Sequence, residues 1–296
     1  MPERPDLDLY VDHLARRLCG QVLEGVRIAS PFVLRTADPA VEALTGRRIE
    51  RVQRIAKRLA FSLEGDAHIV VHLMITGRLH WRKPGAVLPK RGGLAAFDFP
   101  TGTLTLTESA KKKRAAIHFC ADSQALAEFE TSGVEVRPED FEGFVSALRG
   151  RNHTLKRALT DQRILRGIGN AYSDEILWAA RLSPMKQTAK LSDAEFGALF
   201  FATLSVLDEW SARLAVKAGD AFPEKVTAFH PEMAVHGRYR EPCPRCAAPV
   251  QRIVFAENEA NYCANCQTGG RLLADRALSR LMHENWPRTL EELDGD

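Results

Sequence analysis

Four cysteines near the carboxyl end, Cys243, Cys246, Cys263 and Cys266, follow the spacing C-x2-C-x16-C-x2-C. Two thiolates on each of two tight turns complete a tetrahedron around Zn2+, and the residues between the pairs have the length of a β-hairpin. The spacing predicts a zinc ribbon holding one structural Zn2+, with a redox or iron–sulfur site as the alternative. Four thiolates leave no open coordination position, which argues against catalytic zinc. The two remaining cysteines, Cys19 and Cys120, stand alone. They read as core residues of a chain kept in a reducing compartment.

A ribbon needs only some thirty of the 296 residues, so the rest is long for one domain and comfortable for two. Leu7, Tyr10, Val11, Leu14 and Leu18 recur at helical spacing over residues 6–18, and Gly20 is a natural stop. Residues 22–28, 48–55, 59–63, 69–75, 94–99, 103–107 and 115–119 are short, β-branched or aromatic-rich, and separated by Gly, Pro or Asp turns. Strands in such a series predict a β-sandwich or barrel, interrupted by a short helical stretch over 38–44. Helical patterns then cover 125–130, 139–148, 154–159, 171–182 and 192–215. The last opens on a Ser192/Glu195 capping box and turns Phe196, Leu199, Phe200, Thr203, Leu207 and Trp210 inward.

The fold class expected is multi-domain α+β: an N-terminal helix plus β-sandwich over 1–132, a helical domain over 133–234, and a zinc ribbon over 235–267. An extension over 268–296 carries Leu272, Leu273, Ala277, Leu278 and Leu281 with Arg271, Arg276 and Arg280, the pattern of an amphipathic helix packed on the body. No run approaches the roughly eighteen apolar residues of a membrane span. No secretory leader pattern opens the chain, so a cytoplasmic protein that does not engage membranes is expected.

The net charge of +3 does not announce a nucleic-acid partner, but its distribution is uneven. Lys111, Lys112, Lys113 and Arg114 are consecutive, and Arg54, Lys57 and Arg58 form a second knot. Between two helices lies Leu165-Arg166-Gly167-Ile168-Gly169-Asn170. Gly167 and Gly169 allow close approach of another backbone, Asn170 is suited to begin the next helix, and free N–H groups there suit a phosphate. Lys156 on the preceding helix adds charge. At the other end, Met1 precedes Pro2, a residue that permits removal of the initiator, which would leave a free proline amine beside Glu3. An α-amine with a pKa of roughly 7.7 is appreciably unprotonated at neutral pH and can attack an aldehyde-like carbon, with Glu3 moving protons.

Terminal Pro2-Glu3, Lys57 in a β-domain, a helix–two-turn–helix with Gly167-Ile168-Gly169-Asn170, and His236-Gly237-Arg238 before a four-cysteine ribbon resemble, in order and spacing, the formamidopyrimidine-DNA glycosylase and endonuclease VIII family. The resemblance runs from Pro2 to Gln267. It implies a bifunctional base-excision enzyme, acting as a monomer in the nucleoid, that flips a damaged nucleotide out of double-stranded DNA. Pro2 would attack the sugar C1′ to give a Schiff base, and Glu3 would shuttle protons through β- and δ-elimination. Lys57, Lys156 and Asn170 would grip the flanking phosphates.

The chain departs from the family pattern at four places. In the turn His72-Leu73-Met74-Ile75-Thr76-Gly77, Ile75 or Met74 would be the wedge that fills the vacated stack. The loop in which oxidised-purine enzymes carry an arginine and a phenylalanine reads Lys111-Lys112-Lys113-Arg114, and Lys112, Lys113 and Arg114 would hold the DNA backbone instead. The ribbon position that normally presents an arginine is Asn258, with Arg252 as a substitute contact; Asp6 stands where the family has Glu. The altered loops suggest a second hypothesis, a non-catalytic lesion- or structure-specific DNA-binding protein on the same scaffold. A zinc-ribbon RNA-binding protein is the third.

Overall fold

The helix anticipated over 6–18 forms and begins two residues earlier, as α1 (Arg4–Leu18). The computed structural model describes residues 1–36, 38–255, 258–274, 287–290 and 292. The chain divides into two units, Met1–Thr131 with Trp210–Thr227, and Ser132–Glu209 with Ala228–Asp296.

In the first unit α1 is capped by Glu3, whose side chain accepts from the Asp6 N–H while the Asp6 carboxylate accepts from the Glu3 N–H at 2.9 Å. Leu7, Tyr10, Leu14 and Leu18 are buried, as their spacing requires, and Gly20 closes the helix end at φ 85°. Cys19 is exposed just beyond the helix and is not the core residue expected of it, because Leu18 is the last residue on the buried stripe. Cys120 is buried, and that burial pushes its thiol up to about 11.

Eight strands follow: β1 (Gly25–Ile28), β2 (Ile49–Ile55), β3 (Arg58–Leu63), β4 (Ala67–His72), β5 (Gly77–Arg82), β6 (Gly93–Phe99), β7 (Gly102–Glu108) and β8 (Ala116–Cys120). They pair antiparallel into two four-stranded sheets, β1-β6-β7-β5 and β2-β3-β4-β8. Leu59, Phe61, Ile69 and Val71 of one sheet meet Leu79, Phe97, Leu104 and Leu106 of the other in one core, to which α1 adds its apolar stripe. The sandwich therefore forms, with two corrections. The strand expected to run to residue 75 stops at His72, and the unanticipated β5 begins at Gly77. Its two-residue alternation places Leu79 inside and Arg78 and His80 partly out, and the charged residues hide that alternation in the sequence. The stretch 38–44 holds only a single 3-10 turn, Val41–Ala43. A short α2 (Ser123–Ala127) is capped by Asp122, which accepts from the Ala125 N–H at 2.8 Å.

The second unit contains α3 (Phe141–Arg149), α4 (Leu155–Thr160), α5 (Asn170–Ala179) and the start of α6 (Asp193–Ala218). The Ser192/Glu195 capping box is present, with Ser192 N–H donating to Glu195 at 2.9 Å and Glu195 N–H to the Ser192 hydroxyl at 3.3 Å. Phe196, Leu199, Phe200, Thr203, Leu207 and Trp210 are all buried. From Trp210 onward α6 belongs to the first unit, where Leu214 and Val226 join the sandwich core and Phe222 lies 5.9 Å from the Tyr10 ring.

The ribbon is a hairpin of β9 (Val250–Phe255) and β10 (Asn258–Cys263), followed by α7 (Ala264–Thr268). Residues 275–286, where most of the expected C-terminal helix falls, lie outside the described residues, as does the Asn258 side chain. The flanks of that stretch pack on the ribbon: Leu272 and Leu273 bury against Ile253, Tyr262 and Ala264, and Leu272 N–H donates to Arg288 O at 2.8 Å.

Tyr10 is fully buried and its hydroxyl accepts from the Leu79 N–H at 3.2 Å, which ties α1 to β5. Removing only that oxygen strands a buried donor. Tyr10→Phe should lower unfolding free energy by about 1–3 kcal/mol, seen as a lower urea midpoint at unchanged slope.

Candidate active site and nucleic-acid interface

The capping box fixes the chain start on a buried helix. Pro2 is buried and Glu3 is 2% exposed. Met1 is present in the structure, and its α-amine is held below the ordinary value by burial, an effect that nearby Glu3 and Asp6 oppose and Arg78 and Lys57 reinforce. Lys57 reaches this neighbourhood from the two-residue turn between β2 and β3, in which Ala56 has φ 51°. Arg54 holds that turn to α1, donating to the Ala56 carbonyl at 3.0 Å and pairing with Asp8 at 2.6 Å. Lys57 itself is 8% exposed, so this member of the Arg54-Lys57-Arg58 knot is not surface charge.

The turn after β4 presents the two candidate wedges. Met74 is in the left-handed region at φ 53°, and Ile75 is 53% exposed, one of the large apolar side chains that this unit leaves open, with Phe32 and Val87. Gly77 closes the turn, because a Cβ there would lie 2.2 Å from the Leu73 carbonyl oxygen. His72, the first residue of that turn motif, is the last residue of β4. Burial, with Arg58, Lys57 and His118 in the same sense, lowers it to about 4, so it is neutral at pH 7.

The Lys111–Arg114 loop is exposed and is shaped by one buried acid, Glu108. The Glu108 carboxylate accepts from the N–H groups of Arg114 and Ala115 at 2.9 and 3.0 Å and from the Thr76 hydroxyl at 3.3 Å. Lys113 bends back to donate to the Glu108 carbonyl. Glu108 thus joins the cationic loop to the wedge turn, a role its place at a strand end does not betray.

In the second unit, Gly167 adopts φ 81° and donates to the Gln162 side chain at 2.8 Å, while Gln162 donates in return to the Ile168 carbonyl at 2.8 Å. The Gly-x-Gly turn is therefore braced from behind. Asn170 is the first residue of α5 and Gly169 is its cap, so the capping position falls one residue before Asn170. Lys156 donates to the Asn170 carbonyl at 2.6 Å and pairs with fully buried Asp174. Asp174 also meets His236 Nδ1 at 2.8 Å. Glu175 accepts three backbone N–H groups, from Ala234, Val235 and His236, at 2.7 to 2.9 Å. Burial raises the Glu175 pKa and those bonds work against it. Asp174 and Glu175 thereby dock the segment before the ribbon onto α5, and hold Lys156 at the helix start.

The four ribbon thiols converge, with all sulfurs within 4.8 Å of one another. Tetrahedral Zn–S bonds of about 2.3 Å place sulfurs roughly 3.8 Å apart. The separations Cys243–Cys266 at 3.9 Å and Cys246–Cys263 at 3.4 Å fit that ion. The Trp178 indole N–H donates to Cys243 Sγ at 3.3 Å, a contact that favours the thiolate and ties the ribbon to α5. On β9, across the hairpin from the strand that Asn258 opens, Arg252 pairs with Glu259 at 3.6 Å and lies 4.3 Å from the Tyr239 ring.

Three family models match the chain: the formamidopyrimidine-DNA glycosylase N-terminal domain over residues 1–144, the H2TH domain of the same glycosylase over 133–219, and a zinc finger found in FPG and IleRS over 240–269. A formamidopyrimidine-DNA glycosylase of Chloroflexus aurantiacus is 31% identical over 275 residues, 90% of this chain and 98% of that protein. Lactococcus lactis Fpg in complex with abasic-site DNA is similar in structure, with a TM-score of 0.78 at 25% identity over 90% of this chain and 99% of that one. The same Lactococcus lactis protein with DNA containing an oxidised pyrimidine gives 0.79 at 26% identity, over 90% and 100%.

The ribbon holds one structural zinc ion, and in small ribbons metal binding is coupled to folding. Metal analysis should return about one zinc per chain. Chelation should abolish hydrogen-exchange protection in residues 250–263 while leaving the β-sandwich protected.

Proposed function

Since the chain belongs to the formamidopyrimidine-DNA glycosylase family of DNA-repair enzymes, we propose that it is a bifunctional glycosylase and abasic-site lyase that removes oxidised or ring-opened bases from damaged double-stranded DNA. One observation carries this reading: the chain start is buried, capped, and set among Glu3, Asp6, Lys57 and Arg78, where an ordinary terminus would fray.

With Met1 removed, the Pro2 amine attacks C1′ of the damaged nucleoside. The C1′–N bond to the base breaks, its electron pair leaves with the base, and loss of the sugar ring bond gives an iminium at C1′. Glu3 protonates the sugar oxygen and then moves protons through β- and δ-elimination, which cut the strand on both sides. Lys57, Lys156 and Asn170 bind phosphates that flank the extruded nucleotide, and the Gly167–Gly169 turn lets the strand approach closely. Ile75, with Met74 behind it, fills the vacated stack. Lys112, Lys113 and Arg114 hold the DNA backbone in a salt-dependent way. The protein acts as a monomer.

Borohydride in the presence of an abasic-site duplex should trap a covalent adduct that Pro2→Gly reduces by about a hundredfold or more. Tight duplex binding without any adduct would instead favour the non-catalytic reading. Mass measurement of the mature protein must find Met1 absent; its retention blocks the nucleophile and rules the mechanism out.

A second outcome concerns pH. Burial lowers the Met1 α-amine from its ordinary 8.0, and Pro2, itself buried beside Glu3, would expose its own amine to the same surroundings once Met1 is removed; a lowered amine is neutral, hence nucleophilic, at a lower pH. Abasic-site cleavage under single-turnover conditions should rise with pH through a midpoint below that of a free proline peptide. A midpoint at or above the free amine's contradicts the role given to burial.

A further inference from the structure

Arg78 is the first residue after the closed turn at Gly77, and it is partly buried. Its guanidinium folds back over the turn, with Nη1 donating to the Ile75 carbonyl at 3.1 Å and to the Gly77 carbonyl at 2.6 Å. Several other arginines of this unit meet carboxylates, among them Arg27 with Asp98, Arg54 with Asp8, and Arg82 with Glu224, while the half-buried Arg47 and the exposed Arg48 meet only backbone carbonyls, at the turns of Glu64-Gly65 and Gly20. Arg78 has no such partner among the described residues, and its Nε and Nη2 donate to nothing there. A guanidinium that is partly removed from water and lacks a counter-charge is costly. Yet this one lies close enough to the chain start and to Tyr10 for its charge to act on both. Its free donors call for an oxygen-rich partner that arrives with the substrate.

We propose that Arg78 is a specificity-determining residue of base excision, offering its free N–H donors to a carbonyl or oxyanion oxygen of the extruded damaged base while Nη1 holds the turn that carries Ile75. The inference rests on the glycosylase reading above. When the C1′–N bond breaks, its electron pair passes to the base, spreads onto the ring carbonyl oxygens, and is finally quenched by a proton from water. A charge-assisted hydrogen bond to such an oxygen strengthens as that charge develops, so it lowers the barrier rather than merely aiding binding. Oxidation adds oxygens of this kind to a base, and the planar guanidinium fork matches an N–C=O edge as a lysine ammonium does not. A phosphate oxygen is the competing source of the same chemistry.

Single-turnover rates on three duplexes, containing 8-oxoguanine, 5-hydroxyuracil or an abasic site, separate these cases, because the abasic duplex keeps every phosphate and lacks only the base. Arg78→Ala should lower excision of at least one of the two bases relative to abasic-site cleavage by about 10- to 100-fold, the effect of one charge-assisted hydrogen bond. Arg78→Lys retains the positive charge and should keep the acidic limb of the abasic-site pH profile near its wild-type position without restoring the excision ratio. Equal losses on all three duplexes would assign Arg78 to the turn or to a phosphate and overturn the inference, as would unchanged rates. Wild-type protein that neither cleaves nor is trapped on the abasic duplex overturns the glycosylase reading itself, and this inference with it. Wild-type activity with an unaltered ratio in both variants overturns the role of Arg78 alone.

Discussion

Two reciprocal hydrogen bonds at the first turn of α1, between the backbone N–H and carboxylate groups of Glu3 and Asp6, decide where the polypeptide begins in space. Each satisfies an N–H that a helix start otherwise leaves orphaned. With the first turn locked, Leu7, Tyr10, Leu14 and Leu18 seat α1 in the sandwich core and the terminus follows them inside. The arrangement tolerates Asp rather than Glu at position 6 because a residue at that helical position needs only a short side chain to reach back to the cap N–H. It also has an electrostatic consequence. Two carboxylates beside an amine would hold its proton, and burial together with the charges of Arg78 and Lys57 outweighs them, so the net shift is downward.

Legibility from sequence varied with how local the governing physics is. The ribbon was plain because four thiolates around one ion impose their own spacing, whatever surrounds them. The inward face of α6 and its capping box were plain because both are set by neighbours three and four residues away. What escaped notice depends on partners far along the chain. β5 alternates Leu79 with Arg78 and His80, and reads as polar until β7 is placed beside it. Glu108 looks like a strand end until its carboxylate is seen to collect the N–H groups of residues 114 and 115. Cys19 shows the opposite case: as a residue type it favours the interior, but it stands one position past the end of the buried stripe and is exposed.

The same contrast explains why a net charge of +3 says so little about a DNA partner. Several of the chain's carboxylates are not on the surface at all. Glu3, Asp6, Glu108, Asp174 and Glu175 are each at most 4% exposed, and Glu3, Asp6, Glu108 and Glu175 bind backbone N–H groups, while Asp174 binds Lys156 and His236. Buried anions held by amides stiffen the loops on which they act. In the loop that follows Glu108 no carboxylate reaches the surface, and Lys111, Lys112 and Arg114 stand exposed there. Counting acids and bases treats both populations alike.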